Sequence, residues 1–291
     1  MWQLLQIELF KIFKRPRTYI SFAAVAALVF IIQFGLKVDG AMYIEFMLRD
    51  LSASLNIEGK VLNGYFVCYI ILQLLLVHVP LLITLIAADL ISGEANMGTL
   101  RLLLTKPVSR VEVVLAKFTA ASIYTILLLI FMAVLALFVS MWMFGTDDML
   151  NLKGGYVVQL KSNDIMWRYV CAFAFAALAM LTVAALGFFL SIFADNSIGP
   201  IVATMSVIVV FTILSTLDIP IFNAIKPYLF TTQMIGWKGF FDVKVNEDNQ
   251  AIVGSIQNLP RVLHAAEVLI VHIVGFLIAS VVVFRRKDIL S

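Results

Sequence analysis

Six long apolar runs, separated by short polar connections, constrain this chain more than any other feature. They cover residues 19–36, 65–88, 113–144, 169–193, 198–217 and 262–284. Helix rises about 1.5 Å per residue, so about 20 apolar residues cross a bilayer core of about 30 Å. Backbone groups in lipid need partners within their own segment, and a β-barrel needs alternation instead of continuous runs, so each run is expected to be a helix. Composition agrees. Apolar residues make up 62% of the 291 and charged residues 13%, against roughly 45–50% and 25% in soluble domains. At a mean hydropathy of +1.02 there is too little polar surface to cover a water-soluble sphere. The expected fold is an all-α polytopic membrane protein, one transmembrane domain over residues 1–291, with no internal repeat. The third run is longer than a bilayer needs, so it is expected to tilt or protrude. The first run is not expected to be a cleavable leader, because Gln33, Phe34 and Leu36 stand where small residues would be needed. A net charge of +3 is too small to indicate nucleic-acid binding. Cys68 and Cys171 lie inside apolar runs, which excludes a disulfide framework.

Orientation follows from the basic residues of the short connections. Placing the N-terminus inside puts Lys11, Lys14, Arg15, Arg17, Arg101, Lys106, Arg110, Lys117, Arg285, Arg286 and Lys287 in the cytoplasm, 11 of 21 basic residues. Six of 18 acidic residues fall there too, giving a net +5 inside and −2 outside. Both termini are therefore expected in the cytoplasm. Three segments face outward, near 37–64, 145–168 and 218–261. At the tiny inner loop 194–197, Asn196 or Ser197 is expected to cap the following helix, with Pro200 in its first turn.

Residues 1–16 read as an amphipathic helix. At 100° per residue, Trp2, Leu5, Leu9, Ile12 and Phe13 gather on one side and Glu8, Lys11, Lys14 and Arg15 on the other, before Pro16 breaks the helix. Such a helix lies in the cytoplasmic headgroup layer with its basic face toward anionic lipid. It is either an anchor alone or also a contact for a cytoplasmic partner.

The most informative stretch is Asp89–Lys117, DLISGEANMGTLRLLLTKPVSRVEVVLAK. Met97, Leu100, Leu103 and Leu104 recur at helical spacing, and Pro107 disfavours helix at Lys106. A short helix is expected from about Glu94 to Thr105, within 92–106. Ser109 and Glu112 then have the spacing of a capping box that starts the third span. A short helix rigidly joined to two spans is what a lever needs, although the same pattern also fits a helix lying on lipid.

Glu94, Gly98-Thr99-Leu100, Leu104, Pro107, Ser109-Arg110 and Lys117 together follow E-x3-G-T-L-x3-L-x2-P-x-S-R…K. In this the chain resembles the first cytoplasmic loop of permeases of type-2 ABC exporters, similar to the sodium, antibiotic, copper-delivery and gliding-motility exporters of bacteria. The overall plan resembles them too: an interfacial N-terminal helix, six spans, both ends inside and a longer outer segment before the last span. One departure is Ala95-Asn96-Met97, where relatives often carry a further acidic residue. The resemblance implies that the short helix is a coupling helix docking on a separate ABC ATPase, present in two copies, with a second permease copy or paralogue alongside. It also implies a bacterial plasma (inner) membrane location. The implied contact residues are Glu94, Met97, Gly98, Thr99, Leu100, Arg101 and Leu104, with Pro107, Ser109, Arg110 and Glu112 forming a structural corner.

No G-x-x-x-x-G-K-[ST] loop occurs in the sequence. The chain is therefore expected to be no enzyme and to carry no cofactor, ATP and magnesium belonging to the partner. His78, beside Pro80 in mid-span, is a candidate pathway residue or a helix–helix hydrogen-bonding group. His264 and Glu267, one turn apart, either share a proton or metal or are solvated polar groups of the interface. Gln33, Gln73 and Thr84 read as helix-packing polar residues. Residues 41–55 are expected to form a separate helix on the outer surface. The apolar stretch 219–230 reads as interfacial; the family resemblance implies a re-entrant helical pair within 218–261. A scaffold protein binding a non-ATPase partner and a secondary transporter are the competing functions.

Overall fold

The computed structural model describes residues 1–48, 61–153, 156–246 and 250–287. Among them six helices are long and apolar enough to cross a membrane, and helix is almost the whole of the regular structure. Helix α1 spans Trp2–Lys14. Arg15 is extended, and α2 runs from Pro16 to Leu48, using proline where a helix has no need of the N–H. The second span, α3, is Gly64–Ala87, capped by the Asn63 side chain accepting from Phe66 N at 2.9 Å. Two short helices follow, α4 at Ser92–Asn96 and α5 at Thr99–Leu104. The third span is α6, Arg110–Val134, which passes through a π-helical turn at Leu135–Val139 into α7, Ser140–Phe144. Spans four and five are α8, Ser162–Ser191, and α9, Ile198–Thr216. Short α10 (Pro220–Asn223) and α11 (Phe230–Gln233) precede the last span, α12, Leu259–Arg286.

Helix α8 is the centre of the bundle, packed against α3, α6, α9 and α12. Its small residues Ala172, Ala176, Ala179, Ala184 and Ala185 are all buried, letting neighbouring backbones approach closely where no hydrophobic force separates protein from lipid. The outward faces of the other spans are apolar, as at Ile31 and Phe34 on α2 and Val209 and Val210 on α9.

Three local expectations need correction. The helix expected separately at 41–55 is the end of α2, which has no break at Gly40; residues 49–60 lie outside those described. Its 33 residues extend about 50 Å, well past a bilayer core. Between the third and fourth spans stands a β-hairpin, β1 Met149–Lys153 against β2 Tyr156–Leu160, pairing Met149 with Leu160 and Lys153 with Tyr156. Its signal was present, a Gly154-Gly155 pair between β-prone runs. Finally, α1 does not turn its whole charged face to headgroups, because Glu8 is buried with Leu4, Leu5 and Ile12 against α6.

The π-turn has a visible partner. A π-turn widens the helix by one residue and disturbs its hydrogen-bond ladder. Gln33 of α2 donates from Nε2 to Leu135 O at 3.1 Å and to Ser140 Oγ at 3.0 Å. The glutamine that read as a packing polar residue is thus the plug of this opening. Beyond α9, the segment 230–241 packs into the bundle with Phe230, Trp237 and Phe241 fully buried. Trp237 meets Tyr69 with ring centroids 5.1 Å apart, and Phe241 meets Tyr169 at 4.9 Å.

Candidate functional site

The loop between the second and third spans is built around a glycine. Gly98 has φ +70°, a left-handed conformation that costs other residues roughly 1–2 kcal/mol. It ends α4 and starts α5, so the single helix expected over 94–105 is two short ones meeting at a corner. The helical spacing of Met97, Leu100, Leu103 and Leu104 hid this break, because spacing alone does not show that Met97 is exposed while Leu100 is buried. Pro107 turns the chain, and α6 then begins with the expected capping box: Glu112 N donates to Ser109 Oγ and Ser109 N donates to Glu112 Oε2, each at 3.1 Å.

Two charged centres hold this loop. In the first, Lys117 of α6 lies 2.8 Å from Glu8 of α1 and 2.8 Å from Glu94 of α4, while Lys11 of α1 lies 2.8 Å from Glu8 and 2.7 Å from Glu94. Lys117 is 0% exposed, and Glu8 and Glu94 only 1% and 3%. Buried ions are tolerable only when paired this closely. Burial alone would lower the Lys11 pKa, but the Glu8 and Glu94 carboxylates outweigh it and hold it above its ordinary 10.5. In the second centre, buried Asp89 meets Arg15 and, at 2.9 Å, Arg17, and accepts from the Ser197 hydroxyl. Gly93 makes room for that carboxylate, since a β-carbon there would collide with Asp89.

Further bonds spread the attachment. Ser191 at the end of α8 accepts from Ile91 N at 3.2 Å and Ser92 N at 2.9 Å. Arg110 donates to the carbonyls of Phe284, Arg285 and Lys287 at 3.1, 3.2 and 2.6 Å, closing the C-terminal end of α12 with the cation that such an end favours. Asn196 caps α9, accepting from Gly199 N at 3.2 Å. The loop and its corner are thereby tied to α1 and to all six spans, and α1 and the end of α12 lie at the same end of the bundle.

The residues expected to meet a partner divide accordingly. Glu94 and Leu100 (1% exposed) point inward and serve the chain's own architecture. Met97, Gly98, Thr99 and Arg101 are exposed; the Leu104 side chain lies outside those described. Pattern reading missed Leu102, which is 67% exposed; Met97 is 57% exposed. Two large apolar side chains projecting from a polar loop were its only signal. His78 is exposed on α3, its Nδ1 2.8 Å from Leu74 O. Glu267 is exposed on α12, 3.8 Å from His264. Among the described residues no group of three metal-ligating side chains gathers.

Comparison with known proteins places these features. The family described as ABC-2 family transporter protein matches residues 2–289. A 119-residue stretch is 27% identical to the uncharacterized protein YhcI of Bacillus subtilis (strain 168), covering 39% of this chain and 37% of that protein. With the family match running over nearly the whole sequence, the chain belongs to the ABC-2 transporter family, whose members are the membrane-spanning permease components of ABC transporters.

Proposed function

We propose that this multi-pass protein is the permease of an ATP-driven exporter in a bacterial plasma membrane, worked from the cytoplasm by a separate ATPase in two copies. The observation that carries the reading is the pinned loop. Because α4 is joined to α1, α6 and α8 by buried ion pairs and backbone bonds and α5 packs on α4, a force applied at Met97 and Leu102 reaches these helices of the bundle. ABC-2 permeases generally work with an ATPase partner, and an exposed apolar pair on a polar corner is the kind of anchor a groove on such a partner takes. ATP binding would pull the corner, tilt α3 and α6, and switch access from one face of the membrane to the other.

A second permease copy has its own support. Gln73, Leu74, Val77, His78 and Leu81 form an exposed face of α3. Polar side chains in mid-span are costly toward lipid and usually face a protein interior or a cavity. Covering this face with the same face of another copy hides both and places the substrate path between them. The deciding experiment is purification from native membranes in mild detergent. An ATPase subunit is expected to come with the chain, and Leu102→Asp is expected to release it while the permease itself stays in the membrane. Ion-driven flux with no ATPase bound, or an unchanged complex in the variant, would overturn the reading.

A further inference from the structure

At the end of the bundle opposite the short helices, a cleft of about 610 Å³ opens between the segment 226–242 and the start of α12. Its lining is basic. Lys226, Lys238, Arg261 and His264 line it with the carboxylate Asp242, and Glu267 stands 3.8 Å from His264. The carboxylate nearest Lys226 is Asp218, 3.9 Å away and almost fully exposed, so it screens weakly. Lys238 lies over the Trp237 ring at 5.9 Å. Burial pushes its pKa below the ordinary lysine value.

Two further features make the cleft a donor site. Thr232 lines it, and its hydroxyl is buried without a hydrogen-bond partner among the described residues; a buried polar group left so costs more than one that is bonded. The cleft also reaches Asn258 at the N-terminal end of α12. No side chain caps that end, and a helix of 28 residues turns the positive end of its dipole there, although Pro260 has no N–H and the Arg261 and Val262 amides bond Asn258 O.

We propose that this cleft binds a phosphate group. Lys226, Lys238 and Arg261 supply the charge, Arg261 with the planar fork that suits oxyanions, the α12 dipole adds to it, and the Thr232 hydroxyl supplies a neutral donor. Phosphate has enough acceptor oxygens to engage several of them at once, which a single carboxylate does not. The group belongs either to a free phosphate or to an anionic lipid headgroup. Exposed apolar side chains beside the cleft, Ile213 on α9 and Leu263 and Ile270 on α12, give acyl chains a surface to follow. This proposal goes beyond the permease reading and does not depend on any ATPase.

The test uses the purified full-length chain with Arg261→Gln and with Lys238→Gln/Arg261→Gln. Inorganic phosphate binding is followed by calorimetry. Retention of phosphatidylglycerol against phosphatidylcholine is followed by native mass spectrometry from mixed micelles. Each lost cation is expected to weaken binding about tenfold. Phosphatidylglycerol retained by the native chain and lost from the double variant identifies a headgroup site. Calorimetric binding lost in the variants, without preference between the lipids, identifies free phosphate. If native and variant chains behave alike toward both probes, the proposal is wrong. Arg261 is exposed, so the single variant is expected to melt like the native chain and keeps the comparison valid.

Discussion

Lys117 has no water to fall back on. It sits fully buried between the carboxylates of Glu8 and Glu94, so Lys117→Leu leaves two buried acids short of their counterion. Removing one member of such a cluster costs about 3–5 kcal/mol, and a large drop in the thermal midpoint of the detergent-purified protein is expected. Adding Glu94→Gln to Lys117→Leu should recover part of the loss, because neutralising the acid removes the charge left uncompensated. Lys11 adds a pH signature. A raised lysine pKa gives stability that is complete below the unfolded value and lost only as pH rises through the folded one. The network should therefore hold unchanged through neutral pH and weaken only above about 10.5. Melting midpoints measured across pH check this. The sequence marked Glu94 and Lys117 as members of one pattern but could not show that they touch, because helix phase fixes a residue's direction and not what stands opposite. Glu8 escaped for the same reason. A charge reads as solvent-facing until its partner is known.

At the scale of elements, the corner at Gly98 is the place to test stiffness. Gly98→Ala keeps the side-chain chemistry of the loop and opposes only its left-handed φ, at roughly 1–2 kcal/mol. It is expected to leave insertion intact and to lower ATPase stimulation by the reconstituted permease. Leu102→Asp should abolish docking without moving the melting midpoint, since its side chain is mostly exposed. A shared effect of both on melting alone would make the corner a folding element only. All six spans and the Ser109 capping box were legible, because apolar length and cap spacing are local properties. The split into α4 and α5 was legible only in Gly98, and the β-hairpin only in its Gly-Gly pair, each outweighed by neighbouring apolar periodicity. The end of α2 was misplaced because polarity at Lys37 and Asp39 marks where a membrane stops, and a helix can continue through water.

For the whole molecule, the exposed α3 face makes a claim about assembly. If two copies meet there, a cysteine in place of His78 should form a cross-linked pair in native membranes on mild oxidation, while one at Val202, exposed on α9, should not. The π-turn in the third span bears on the same scale. One end of that span is held by Lys117 and Arg110, while the other reaches Phe144, whose side chain is buried. Because the widened turn already holds one residue more than α geometry, deleting one residue from Leu135–Val139 should restore an ordinary α-helix and leave everything beyond it in place. A cysteine in place of Phe144, shielded in the native chain, should then stay unreactive to maleimide, whereas labelling would show that the outer half had turned. The inserted residue acts as a tuck: the widened turn takes it up, so the outer half of the span keeps the rotational phase of the half gripped below, and Gln33 is the peg that keeps it from turning.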